Sequence, residues 1–275
     1  MRVSKIRKAQ IDQFYRERFS AHSPTTIRRH QRSLSAVFNF AVEDELIDHV
    51  PFFSKPKIKK KKGRNMNKKF LIGEAELIID CAQPHLKPIL AVLLSTGARV
   101  GMTLKLLKEH FILVRTRGRV SFLDSKNGNA YRRPLHDYTI QILKEWLKIR
   151  NDTRPEMFLT PKNQPFVIPK GRGGQIKGSY NKARDKAVRI LTQQGSLDRA
   201  RVIAKSTPHW FRHNIANTLR QDKKADVKTI MEAGMWESEK VLLDNYFGDT
   251  HEQTDAVVKS IPIGTKLTQN DIEQS

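Results

Sequence analysis

Between Lys55 and Lys69 the chain carries nine basic residues and no acidic one. Charges of one sign repel each other and are costly to bury without partners, so this run cannot belong to a hydrophobic core. Gly63, Asn65 and Asn67 favour no regular element, and Pro51 and Pro56 mark where the run begins. It reads as a basic interdomain linker over 55–69. The linker divides the 275 residues into a short N-terminal part (1–54), a long part (70–260) and a polar C-terminal tail (261–275). Hydrophobic residues make up 38% of the chain, enough to build a core and to exclude wholesale disorder.

The balance of 51 Lys and Arg against 28 Asp and Glu leaves a net charge of +23. A field of that sign attracts polyanions, nucleic acid foremost. Charge alone does not separate DNA from RNA or from a membrane surface. Lys59, Lys60, Lys61, Lys62 and Arg64 could lie along a phosphate backbone or stand solvated; a flexible tether can do both. Cys81 is the single cysteine, which excludes an intramolecular disulfide and a cysteine-based zinc site. The apolar run Ile89 to Leu94 is too short to cross a bilayer, and the residues after Met1 do not resemble a signal peptide. The expected setting is therefore cytoplasmic.

Before the linker the sequence predicts two helices. Ile11, Phe14, Tyr15 and Phe19 share one face. Ser23 as N-cap and Pro24 at the first helical position open the second, with Ile27, Leu34, Val37, Phe38, Ala41 and Ile47 as its apolar side. Arg28, Arg29 and Arg32 lie away from that side, either to meet DNA or as a solvated face. After the linker, helices are predicted over 75–81, 87–94, 138–149, 180–191, 210–221, 227–233 and 238–247. Short β-rich runs at 111–114, 119–123 and 130–135, separated by Gly118 and Asn127-Gly128-Asn129, predict a small antiparallel sheet. The expected class is mainly α (α+β).

Three local patterns carry chemistry: Thr96-Gly97-Ala98-Arg99 at a helix end, Thr207-Pro208-His209-Trp210-Phe211-Arg212-His213 opening a helix, and Tyr246, 34 residues after Arg212. Lys126 falls between the first two, in the turn Ser125-Lys126-Asn127-Gly128. These residue types suit attack on a phosphodiester. Two guanidiniums can bind the non-bridging oxygens and stabilise charge added in the transition state. A tyrosine oxygen can act as nucleophile, given a base or a cationic pocket to offset its high pKa. A lysine can protonate the departing sugar oxygen. Taken singly, each residue also has an ordinary explanation: surface charge, a structural histidine, a half-buried tyrosine.

In order and spacing together, these residues resemble the tyrosine recombinases, the phage-integrase family. The resemblance spans about residues 20–260. It implies Arg99 and Arg212 as the phosphate-clamping pair, Lys126 as general acid and His209 as a phosphate ligand aiding proton transfer. It further implies Trp236 as the position where relatives carry His or Trp, Tyr246 as nucleophile and His213 as a supporting residue. The part before the linker resembles the second half of the family's helical core-binding domain, so a truncated N-terminal domain is expected. The implied activity is site-specific DNA recombination or integration through a 3′-phosphotyrosine, without metal or cofactor, in a phage or other mobile element.

The implied partners are double-stranded DNA, three further copies of the chain in a tetramer on synapsed sites, and DNA-bending accessory proteins, with no membrane. The implied setting is the nucleoid or, for a phage, the host cytoplasm. Residues 250–275 would dock on a neighbouring copy. The alternatives are a type IB topoisomerase-like enzyme and a DNA-binding protein that keeps the fold without the reaction. Tyr180 precedes the His-x-x-Arg motif and is in the wrong order for a nucleophile. Three departures from the family stand out. Met102 occupies the position that is acidic in many relatives. The stretch after Arg212 is one residue longer than usual, and Gly234-Met235-Trp236 replaces a Gly-His pair.

Overall fold

Two helices and the returning segment that follows them build the first of two compact units, Met1–Lys61 and Lys62–Ser275. The computed structural model describes residues 5–57, 63, 65–114, 117–123, 130–150, 152–167 and 176–247. Helix α1 (Lys8–Arg18) and helix α2 (Pro24–Glu43) bury Ile11, Tyr15 and Phe38 against Phe53. Ser23 caps α2 as the sequence indicates, its hydroxyl accepting from the Thr26 amide at 3.2 Å. The helix stops at Glu43, and Ile47 packs on the same core from the turn beyond it. Residues 54–56 are stapled back onto the helices. Asp12 accepts from the Ser54 amide at 3.1 Å, Gln31 donates to the Ser54 carbonyl at 2.7 Å, and the Arg28 Nε donates to the Pro56 carbonyl at 3.1 Å.

In the second unit the apolar run seen in the sequence becomes the hub. Helix α4 (Lys87–Thr96) buries Ile89, Leu90, Ala91, Val92 and Leu93 on every side, which is how a helix that is apolar all round behaves. Around it pack α3 (Glu74–Asp80), α6 (Asp137–Arg150) and α9 (Trp210–Asn217). The short α5 (Val100–Thr103) follows α4; α7 (Lys177–Gln193) packs against α8 (Leu197–Ile203). Three antiparallel strands, β1 (Phe111–Ile112), β2 (Arg119–Leu123) and β3 (Ala130–Pro134), form the sheet in the order β1-β2-β3. Val120 and Phe122 point into the core, while Arg119 and Leu123 face out.

Two elements were not legible as helices. α5 has only four residues, and the Ser196 side chain makes no cap bond to announce α8. The helix expected over 210–221 is α-helical only to Asn217 and then widens into a π-turn, Thr218–Asp222. A π-turn takes up an extra residue within a helix. The chain then enters α10 (Val227–Gly234) and α11 (Glu239–Tyr246). Among the described residues no helix is long and apolar enough to cross a membrane.

Candidate active site

The turn after α4 places the first arginine. Gly97 lies at φ 62°, a left-handed conformation that favours glycine, and it ends α4 with its carbonyl turned toward α9. Arg99 follows in extended conformation as the N-cap of α5. Its exposed guanidinium meets the Glu237 carboxylate at 3.3 Å, with the two side chains 48% and 57% exposed. An ion pair that open contributes little to stability. Met102, three positions after Arg99, packs against the main core. Glu237, directly after Trp236, supplies a carboxylate to Arg99.

Arg212 is the centre of the cluster and is 3% exposed. It projects from α9 and donates to the carbonyls of Gly97 at 2.9 Å and Met235 at 3.2 Å, and also to that of Gly234. The guanidinium lies over the Trp236 ring, 3.9 Å from its centroid. Burial, and after it the neighbouring Arg99, pulls its pKa down to about 10, which still leaves it cationic at neutral pH. The turn Gly234-Met235-Trp236 is shaped for this contact. Met235 adopts a left-handed φ of 54° and presents its carbonyl to Arg212.

Gly234 leaves no room for a side chain, since a Cβ there would lie 1.4 Å from Cζ3 of Trp236. Gly234→Ala is therefore expected to push the indole off Arg212 and to cost about 1 to 3 kcal/mol, typical of overpacking. Thermal melting checks this, and an unchanged Tm would contradict it.

Tyr246, the last residue of α11, is 3% exposed. Its ring meets Trp236 edge-on at 5.6 Å between centroids, and its hydroxyl is hydrogen-bonded to Nδ1 of His213 at 2.5 Å. The sequence suggests His213 only as a supporting residue. The structure puts it in direct contact with the Tyr246 oxygen, because position 213 follows Arg212 on α9 and faces the end of α11. His209 stacks edge-on against His213 at 4.6 Å. Arg212, Trp236, Tyr246, His213 and His209 thus form one continuous chain of contacts, with Arg99 at its border. The competing tyrosine, Tyr180, is fully buried, bonded to the Ser206 hydroxyl at 2.6 Å, and burial pushes its pKa up to about 12.

His209 keeps an exposed edge, yet its surroundings disfavour a charge. Desolvation by its neighbours, and then the cations Arg212, Lys68 and Arg99, lower its pKa from 6.5 to about 4. It is neutral at neutral pH. Between those two values the unfolded chain binds a proton at this residue more readily than the folded one does, so stability is lost as pH falls from 6.5 toward 4. His209→Gln removes that proton uptake. The variant should lose less Tm than the parent on acidification through this window, and equal losses would contradict the assignment.

Lys126 belongs to the connection between the paired residues Leu123 and Ala130. It lies outside the described residues, as do Lys59, Lys60, Lys61, Lys62, Arg64 and 248–275. In the first unit Arg29 and Arg32 are exposed, and Arg28 is half-buried by its bond to Pro56. Among the described residues no group of three His, Cys, Asp or Glu converges as a metal site.

Residues 69–253 match the model of the Phage integrase family, and the chain belongs to that family, the tyrosine recombinases. Its fold is theirs. A structure of XerH site-specific recombinase bound to difH substrate, in a pre-cleavage complex, superposes with a TM-score of 0.62 at 17% identity over 94% of this chain and 72% of that one. A Tn1549 transposon integrase in complex with a circular intermediate DNA gives 0.60 at 16% identity over 94% and 87%. A lambda integrase dimer bound to a COC′ core site gives 0.59 at 14% identity over 87% and 82%. No curated protein sequence matches the chain.

Proposed function

We propose that the protein is a site-specific DNA recombinase or integrase of a mobile element, acting in the cytoplasm, that cuts and rejoins strands through Tyr246. The observation that carries this reading is the Tyr246 hydroxyl held by His213 beside an arginine fixed in position by three backbone carbonyls. Those carbonyls fix the guanidinium plane of Arg212, which leaves its remaining N–H groups for a phosphate oxygen. Arg99, more exposed, exchanges Glu237 for a second oxygen, and neutral His209 donates a hydrogen bond to the same group. Trp236 holds Arg212 by its ring face and binds the phosphate through its ring N–H.

The Tyr246 oxygen attacks phosphorus as its proton passes to Nδ1 of His213. The bond from phosphorus to the 5′ oxygen breaks, and Lys126 protonates that oxygen. A 3′-phosphotyrosine and a free 5′-hydroxyl result, and the hydroxyl of a partner strand reverses the step. Arg28, Arg29, Arg32 and the run Lys59, Lys60, Lys61, Lys62 and Arg64 neutralise the DNA backbone. The active assembly is a tetramer on two synapsed sites, joined where needed by DNA-bending proteins.

Incubation with fragmented element and host DNA in the presence of a chelator, followed by denaturation and sequencing of protein-linked DNA, tests the reading. Adducts on one defined sequence are expected. Scattered adducts would favour a topoisomerase-like enzyme, and none, with binding intact, a DNA-binding protein of the same fold. Lys126→Ala should slow cleavage by roughly 10²- to 10⁴-fold, the usual weight of a general acid. A 5′-thio leaving group, which needs no proton, should restore the rate. Failure of that rescue would remove Lys126 from the role.

A further inference from the structure

The end of the basic run is not a solvated tether. Gly63 and residues 65–70 are bound along two helices of the second unit. The amides of Gly63 and Asn65 donate to the carbonyls of Asp244 at 3.1 Å and Asn245 at 2.9 Å. These are among the last carbonyls of α11, which a helix leaves without internal partners. Asn65 is 6% exposed, and its side-chain amide also reaches Oδ1 of Asn245, the residue before Tyr246, at 3.4 Å.

From the other side, Asn217 of α9, fully buried, donates through Nδ2 to the carbonyls of Asn65 at 2.8 Å and Lys68 at 3.1 Å. Gln221 donates to the Met66 carbonyl at 2.8 Å, and Asn214 accepts from the Phe70 amide at 3.0 Å. The helix that carries Arg212 and His213, with His209 at its N-cap, is thus tied, through Gly63 and residues 65–70, to the end of the helix that carries Tyr246.

One detail separates this arrangement from ordinary packing. Oδ1 of Asn217 is buried without a partner. An orphaned buried acceptor costs about 1 to 3 kcal/mol. An apolar side chain of similar size would avoid that cost but would release the two carbonyls that the amide holds.

We propose that Asn65 and Asn217 are positioning residues for the nucleophile: the clamp they form on residues 65–68 caps α11 and sets where the Tyr246 oxygen stands relative to Arg212. This rests on Tyr246 being the nucleophile. α11 is only eight residues long and its buried contacts are Leu242 and Tyr246, so its terminal carbonyls are an effective place to fix it. Misplacement of a reacting group by about 1 Å can cost a hundredfold in rate without weakening substrate binding.

The test is single-turnover cleavage of an oligonucleotide carrying the sequence recovered from wild-type adducts, with rate constant and amplitude read separately from DNA affinity and Tm. Asn217→Leu should lower the rate constant by roughly ten- to a hundredfold, with DNA affinity and amplitude near wild type. Asn65→Ala, which keeps the backbone bonds, should slow the step by a smaller factor. A loss confined to amplitude and Tm, with the rate constant of the reacting fraction unchanged, would mark the clamp as merely structural and overturn the proposal. Should Asn217→Leu fail to fold, a wild-type rate constant in Asn65→Ala overturns it equally. Failure of the recombinase reading is seen separately, as absence of a Tyr246 adduct in the wild-type protein.

Discussion

Tyr246→Phe is expected to abolish the covalent protein–DNA product, a loss of at least roughly 10⁴-fold, while leaving DNA binding within a few-fold of wild type. The substitution removes one oxygen. The phenyl ring still fills the space beside Trp236 and Leu242, so α11 keeps its packing. The hydrogen bond to the buried His213 is lost, which costs the fold about 1 to 3 kcal/mol. A protein that loses the adduct, keeps its affinity and still melts cooperatively isolates the nucleophile from the scaffold. Gel retardation and adduct recovery on the same DNA check it. A variant that still forms adduct would remove Tyr246 from the role.

The second large effect concerns Arg212→Lys. The charge survives, but the planar fork does not. An ammonium has three donors in tetrahedral array. It cannot hold the carbonyls of Gly97, Gly234 and Met235 in one plane and face a phosphate as well. It also loses the flat contact with the Trp236 ring. Removal of one preorganised donor to a developing oxyanion typically costs 10²- to 10³-fold in rate, and that range is expected for the cleavage step. Affinity for DNA should change far less, because the many other cations of a +23 chain dominate binding. Single-turnover cleavage beside equilibrium binding separates the two. A lysine variant that cleaves within a few-fold of wild type would show that charge alone, not orientation, is what Arg212 supplies.

Much of the fold is legible in local signals. Ser23-Pro24 announces α2, the apolar run of α4 announces the hub, and the alternation in β2 announces the sheet. The order of Arg99, Lys126, His209, Arg212, Trp236 and Tyr246 points to the chemistry before any coordinates do. What stays hidden depends on backbone atoms and on long-range closure. Nothing in the sequence says that carbonyls at 97, 234 and 235 converge on one guanidinium. His213 looks ancillary because its meeting with Tyr246 spans 33 residues. The charge of residues 55–69 points to solvent, yet Asn65 is buried, and its amide and that of Gly63 cap α11; uncharged backbone amides do that work, and composition is blind to them. Met102 leaves open where the acid near Arg99 comes from, and only the structure places Glu237 there.

The most direct test identifies the residue that carries the DNA. Wild-type protein, reacted in the presence of a chelator and denatured, would be digested with nuclease and trypsin and the nucleotide-bearing peptide sequenced by mass spectrometry. The expected result is a 3′-nucleotide on the peptide that begins at Val241, attached to Tyr246. Attachment to any other residue, or a cleaved strand with no attached peptide, would contradict the assignment of Tyr246 as the nucleophile.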